Sequence, residues 1–185
     1  MGNPKPPDFV NFMAHVFTAG DSELWLYNMG LKELLEENFG PIDYVSPVLD
    51  FQKFTYYYNE EMGKNVLIEA RLISFEYLSS PAFLPDAKLI TNEIERKFSV
   101  DNKRKVNVDI GYIHHTQFVL ASTKHWGNRI YIGKNIYAEI TLMFNFGKWE
   151  PLEYTYANFR DPTYLKELEI IRNNYLKKRK KISFE

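Results

Sequence analysis

The stretch "TNEIERKF", residues 91–98, decides between two folds. As a strand it would set Glu93, Glu95 and Lys97 on one face, a spacing that can gather carboxylates and an ammonium around a metal and a phosphate chain. As a helix it would turn residues two apart roughly 200° from one another and drive the carboxylates apart. The neighbours favour the helix. Ala87, Ile90, Ile94 and Phe98 recur at spacings of three, four and four, an apolar stripe of helical period. Pro85 suits a first helical turn. A strand would instead place Arg96 between Ile94 and Phe98 on its apolar face. The spacing predicts a helix over 85–98, with Ile90 and Ile94 buried and Glu93 and Glu95 diverging.

The Glu-x-Glu-x-Lys pattern resembles the motif of the triphosphate-tunnel enzymes. Those carry it at the start of the domain and supply Arg and Lys pairs from many later strands. Here only 88 of the 185 residues follow Lys97, with few alternating basic pairs. A tunnel-like phosphohydrolase is the remotest of the functional alternatives.

Outward from this helix the pattern is mixed. "FVNFMAHVFT" (9–18) reads as a strand, being rich in aromatic and β-branched residues. Leu24, Tyr27, Leu31, Leu34 and Leu35 follow at helical spacing, with Asp21 or Ser22 as cap and Gly40 as stop. Segments 48–58 and 66–78 read as extended, as do 105–113, 116–123 and 128–133. Over 136–144 the alternation is strict: Ile136, Ala138, Ile140, Leu142 and Phe144 form one face, with Tyr137, Glu139 and Thr141 on the other. Asp161-Pro162 starts a last helix, with a stripe of Leu165, Leu168, Ile171 and Tyr175 ending in "KKRKK" (177–181). The expectation is one α+β domain over 1–185, with a loose lead-in over 1–8 and a basic tail over 177–185. Its sheet is mostly antiparallel, of six to seven strands, and its three helices pack on one face.

Composition narrows the function classes. Hydrophobic residues make up 45% and charged residues 25%, ordinary for a globular chain. Lys plus Arg is 23 against 24 Asp plus Glu, so no overall field selects nucleic acid or an anionic membrane, and neither is expected as a partner. There is no cysteine, which removes disulfides, thiol catalysis and Cys-ligated metal sites. "MGNPKPPDFV" lacks an apolar signal core, so the default expectation is a cytoplasmic protein.

The polar face of the C-terminal strands is the sharpest chemical candidate. Asn107 and Asp109 lie opposite Val106, Val108 and Ile110, and Glu139 lies opposite Ile140. Lys124 and Arg129 flank the turn "KHWGNR". In a meander these groups would gather on one sheet face, where two cations and an amide could hold a phosphate or carboxylate. Asp109 and Glu139 are the candidate catalytic groups, as base or orienting carboxylates. Lys124, Arg129, Asn107 and, at the edge, Arg160 are the candidate ligand-binding groups. The plain alternative is the solvated side of a sheet with cross-strand ion pairs. The expected partner is a small anionic ligand, with no particular cofactor implied. His114 and His115 point to opposite faces if they lie on a strand, so no metal site is expected from them, with or without His125. "YYYNEEMG" (56–63) predicts packed Tyr56 and Tyr58 before a solvated turn at Glu60 and Glu61.

Several stretches carry a resemblance over most of the chain: "FTYYYNEEMG" (54–63), "TNEIE" (91–95), "KVNVDIGYI" (105–113), "VLASTK" (119–124), "RIYIGKNIYAEITL" (129–142) and "YTYANFR" (154–160). Together they resemble the prokaryotic family called domain of unknown function 4416. The resemblance implies no established activity and assigns no residue a role. Where the family tends to read Asp-Pro-Gly-Tyr, this chain has Asp109-Ile110-Gly111-Tyr112; where it tends to read Pro-Asp-Tyr-Arg, the chain has Ala157-Asn158-Phe159-Arg160. Some members are labelled GTP-binding, but "GNRIYIGKN" is not a P-loop: five residues separate Gly127 from Gly133, and Asn135 follows Lys134.

Overall fold

The structure, a computed structural model, describes residues 2–58, 62–63 and 66–182. One large antiparallel sheet organises it. In chain order the strands are β1 (Val10–Ala19), β2 (Ile42–Val45), β3 (Leu49–Asp50), β4 (Ile68–Ser79), the short pair β5 (Ser99–Val100) and β6 (Lys103–Arg104), β7 (Val106–Ile113), β8 (Gln117–Ser122), β9 (Ile130–Gly133), β10 (Ile136–Asn145) and β11 (Lys148–Pro151). The sheet runs β11-β10-β8-β7-β1-β4-β2, with β3 also on β4 and β9 also on β10. The α+β class with a mostly antiparallel sheet is what the sequence implies.

The helices are α1 (Leu31–Phe39), α2 (Leu84–Lys97) and α3 (Pro162–Ile182). They do not share a face, contrary to the expectation of a one-sided layer. α1 and α2 bury Leu31, Leu35, Phe39, Leu84, Ala87 and Ile94 against Val10, Phe12, Ala14 and Val16. α3 buries Tyr164, Leu168, Ile171 and Tyr175 against the alternate residues Met13 and Phe17. The cause lies in β1, whose residues from Val10 to Thr18 are all buried. A central strand apolar on both faces needs a cover on both. No described helix is long and apolar enough to cross a membrane.

Local signals explain the ends. Asp21 Oδ1 accepts from the Glu23 amide at 2.9 Å, as a cap. The expected first helix breaks into a turn at Leu24–Asn28 and α1, because Gly30 adopts φ 84° between them. Asp161 Oδ1 accepts from the Thr163 amide at 2.9 Å and opens α3. The basic end of α3 is tied down: the Lys178 ammonium donates to Asp43 at 2.7 Å and to the Phe75 carbonyl at 2.9 Å. Of the segment read as extended over 48–58, only Leu49–Asp50 is strand. Tyr56 is exposed rather than packed; Glu60 and Glu61 lie outside the described residues.

Strand β10 departs from strict alternation. Its pairing with β8 slips between Ile140 and Leu142, so Thr141 is an extra residue. Ile136, Ala138 and Ile140 face the α1/α2 side, whereas Leu142 and Phe144 face α3. The single apolar face expected of this strand is thus split by a bulge.

Candidate functional site

The site begins where two strands part. β7 pairs with β1 along its whole length, from Val106 to Ile113. With β8 it pairs only at Gly111, Tyr112 and Ile113. Gly111 permits that last close approach, since a Cβ there would lie 2.2 Å from the Val119 carbonyl oxygen. Beyond it the strands splay, and residues 106–110 present an open backbone edge. Helix α2 covers this edge with side chains. Glu95 Oε1 accepts from the Val108 amide at 2.8 Å, and Lys88 Nζ donates to the Val108 carbonyl at 3.3 Å.

The gap between β7 and β8 is a cleft of about 540 Å³. Asn107, Asp109 and Glu139, which the alternation singled out, and Lys124 and Arg129, which flank the turn, all line it. Arg160 does not join them. Its guanidinium donates to the carbonyls of Thr155, Leu152 and Glu153, pinning the loop before α3. That loop still contributes, through Tyr156, Asn158 and Phe159, which close one side of the cleft.

Arg129 is the most tightly held cation. Its Nε donates to Glu139 Oε2 at 2.9 Å, its Nη1 to Ser122 Oγ and the Lys124 carbonyl, both at 2.9 Å, and its Nη2 to the Tyr156 hydroxyl at 2.9 Å. Asn128 Nδ2 donates to the same Glu139 oxygen at 3.0 Å. The other Glu139 oxygen, Oε1, has no partner among the described residues although Glu139 is only 4% exposed. Asn107 is similar. Its Oδ1 accepts from Arg104 Nη1 at 2.8 Å, while its buried Nδ2 finds no hydrogen-bond partner among the described residues. The Lys124 ammonium makes no ion pair among the described residues.

At the inner wall, Asp109 sits between two buried bases. Lys88 Nζ lies 3.8 Å from one carboxylate oxygen, and His15 Nδ1 lies 3.9 Å from the other. The same imidazole reaches the Tyr164 hydroxyl through Nε2 at 3.3 Å. Desolvation alone would push the Asp109 carboxyl up, but His15 and Lys88 outweigh it and hold the carboxyl below its ordinary range. Asp109 is therefore an anion at neutral pH. Glu95 goes the other way: burial pushes its carboxyl up, and Lys88, the Val108 amide and Arg104 offset this only in part.

Glu95, Lys88, His15 and Arg104 are site residues that sequence reasoning missed. The helical reading of 91–98 holds, and Glu93 and Glu95 diverge as expected: Glu93 pairs with Arg96 in solvent, while Glu95 enters the cleft. A signal for Lys88 was present. It stands seven residues before Glu95, so both share the helix face that also carries the buried Thr91. His15 is the one imidazole inside the buried central strand.

The histidine pair also differs from expectation. His114 and His115 lie in the turn after β7, not on the strand, and their ring centroids are 3.9 Å apart. A turn does not impose the two-sided alternation of a strand. His125 is elsewhere, packed edge-on to Tyr137.

No curated protein and no solved structure matches the chain. The family model described as Domain of unknown function (DUF4416) matches residues 8–175 of the 185, and the chain belongs to that family.

Proposed function

We propose that the protein binds a small anionic, phosphorylated ligand in the cleft between β7 and β8. The observation that carries this reading is the charge and hydrogen-bond balance of one enclosed space. Four cations, Lys88, Arg104, Lys124 and Arg129, face three carboxylates, Glu95, Asp109 and Glu139. The Lys124 ammonium and the Asn107 amide have donors to spare, and a phosphate supplies acceptors for both. Phe54, Tyr57, Tyr58 and Tyr156 add an aromatic wall for the remainder of the ligand.

The residues divide the work. Lys124, Arg129 and Asn107 hold the anion. Glu139 orients the Arg129 guanidinium. Asp109, ionised and partly open to the cleft, is the group able to take a proton from a bound hydroxyl or water, so it is the general base if turnover accompanies binding. The absence of cysteine fits a protein of a reducing cytoplasm.

The test is a thermal-shift and calorimetric screen with inorganic phosphate, pyrophosphate, sugar phosphates and nucleotides. A ligand at 100 times its dissociation constant adds about 2.7 kcal/mol of stability. Lys124→Ala should abolish or sharply weaken that shift while the unliganded protein melts within a few degrees of wild type, since the exposed Lys124 makes no ion pair among the described residues. A full screen without any shift overturns the reading. It would favour a non-catalytic interaction protein, for which the exposed Trp126, Ile130 and Tyr131 supply an apolar surface.

A further inference from the structure

We propose that Asp8, His114 and His115 form a binding site for a transition-metal dication of the Zn²⁺ type. The site lies at the closed end of the β7–β8 hairpin, opposite the end that opens into the cleft, and does not depend on the anion-binding reading.

Three segments far apart in sequence converge there. Asp8 comes from the lead-in, the two imidazoles from the hairpin turn, and Arg179 from the last turns of α3. One donor atom from each of Asp8, His114 and His115 can be chosen so that all lie within 4.8 Å of one another. Tetrahedral bonds of about 2.0–2.1 Å to nitrogen and oxygen bring donors to roughly 3.4 Å of each other. No pair must close by more than about 1.4 Å, which rotation of the exposed Asp8 side chain and of the two turn imidazoles can supply.

The hydrogen bonds already aim the right atoms inward. His114 Nδ1 is engaged by Thr116 Oγ1 at 2.9 Å, which leaves Nε2 facing Asp8 Oδ2 at 3.5 Å. Arg179 Nη1 lies 3.1 Å from His115 Nδ1; a guanidinium only donates, so that nitrogen is an acceptor with a lone pair. Arg179 Nη2 donates to Asp8 Oδ2 at 2.6 Å. A cation thus already rests on two of the three ligands, and a metal ion would take its place. Two imidazole nitrogens and one carboxylate select a borderline ion over Mg²⁺ or Ca²⁺, and the fourth position is left to water.

The geometry assigns Arg179 as the competitor. It also predicts a mechanical role. The lead-in is already held by the Tyr175 hydroxyl, which donates to the Phe9 carbonyl at 3.0 Å. A metal would clamp the lead-in, the hairpin turn and α3 together.

The experiment uses the full chain without a histidine tag, stripped with a chelator. Zn²⁺ is titrated by calorimetry, and Co²⁺ is added as a spectroscopic probe. The expected result is one ion per chain, a raised melting temperature with Zn²⁺ but not Mg²⁺, and Co²⁺ absorption bands of four- or five-coordinate nitrogen and oxygen ligation. Asp8→Asn and His115→Ala should each weaken Zn²⁺ binding about tenfold or more. Arg179→Ala should tighten it. Asp8 is an exposed residue of the lead-in, so Asp8→Asn remains a valid test if a histidine variant unfolds. Zn²⁺ binding unchanged in Asp8→Asn and His115→Ala would mark an adventitious ion only and overturn the proposal, as would no binding at all.

Discussion

Gly111→Ala tests the geometry that opens the cleft. The added Cβ would stand 2.2 Å from the Val119 carbonyl oxygen, 2.9 Å from Leu120 Cδ2 and 3.1 Å from the Val119 carbonyl carbon. Leu120 can rotate away. The carbonyl cannot, because Val119 is registered against Tyr112 on one side and Ile140 on the other. Strand β8 must shift as a body. Overpacking of this kind costs about 1–3 kcal/mol, and each ladder hydrogen bond lost in the three-residue β7–β8 contact adds about 1 kcal/mol. The expected loss is about 3 kcal/mol, or roughly 6–12 °C in melting temperature for a chain of this size. Urea unfolding at fixed pH measures it, with Gly127→Ala as the control. Nothing lies within 4 Å of a Cβ at Gly127, so that variant should stay within about 0.5 kcal/mol of wild type. A Gly111→Ala loss no larger than the control's would refute the reasoning.

Arg129→Ala should cost about 3–5 kcal/mol, because it strands the buried Glu139 carboxylate with only Asn128 to satisfy it; chemical denaturation measures it, and a loss below about 1 kcal/mol would mean that solvent reaches Glu139. Stability should fall as pH rises just above the ordinary carboxyl range, because the Glu95 pKa is raised on folding: the native state then holds a proton that the unfolded state has released. Glu95→Gln should flatten that slope in a pH series of denaturation curves, and an unchanged slope would assign it to another group. Asp161→Ala should cost about 1 kcal/mol through loss of the α3 cap. The Asp161 carboxyl is lowered to about 2 by Thr163 and Lys53, so its contribution is complete above the ordinary Asp value and is lost as pH falls through about 2. Acid unfolding curves of wild type and variant should therefore converge at the lowest pH.

Alternation in two strands was enough to place Asn107, Asp109 and Glu139 on one side of the sheet. The side that a residue faces follows from its strand period, and that period is visible in sequence. Lys124 and Arg129 could be added because a turn between paired strands keeps its flanks near them. Arg160 failed for a related reason: it belongs to a loop, where no period fixes direction, and the loop's own carbonyls capture it. The bulge at Thr141 was hidden because an extra residue looks like any other in a one-dimensional alternation. The two-sided helix layer was legible after all, in the run of Val10 to Thr18 that leaves no polar face to solvent.

What sequence did not reveal is that the sheet itself splits, and this split explains why the missed residues are where they are. An open strand edge inside a protein must satisfy its amide and carbonyl groups. Here no strand does so at Val108; Lys88 and Glu95 do. Side chains that stand in for a strand cannot pack flat, so they leave a hollow beside the edge. They must also be polar, so the hollow is lined with charge. A buried ammonium and a buried carboxyl, required by the backbone, thus set the electrostatics of the cleft. The Lys88 ammonium lies within 4 Å of Asp109 as well as on the Val108 carbonyl. Lys88→Met should therefore do two things at once: leave a buried carbonyl without its donor, at a cost of about 1–3 kcal/mol, and raise the Asp109 pKa toward its ordinary value by removing a nearby positive charge. Measuring both in one variant, by denaturation and by NMR titration of the Asp109 carboxyl, separates this coupling from simple destabilisation. A variant that loses stability without moving the Asp109 titration would break the link between the sheet's open edge and the chemistry of the cleft.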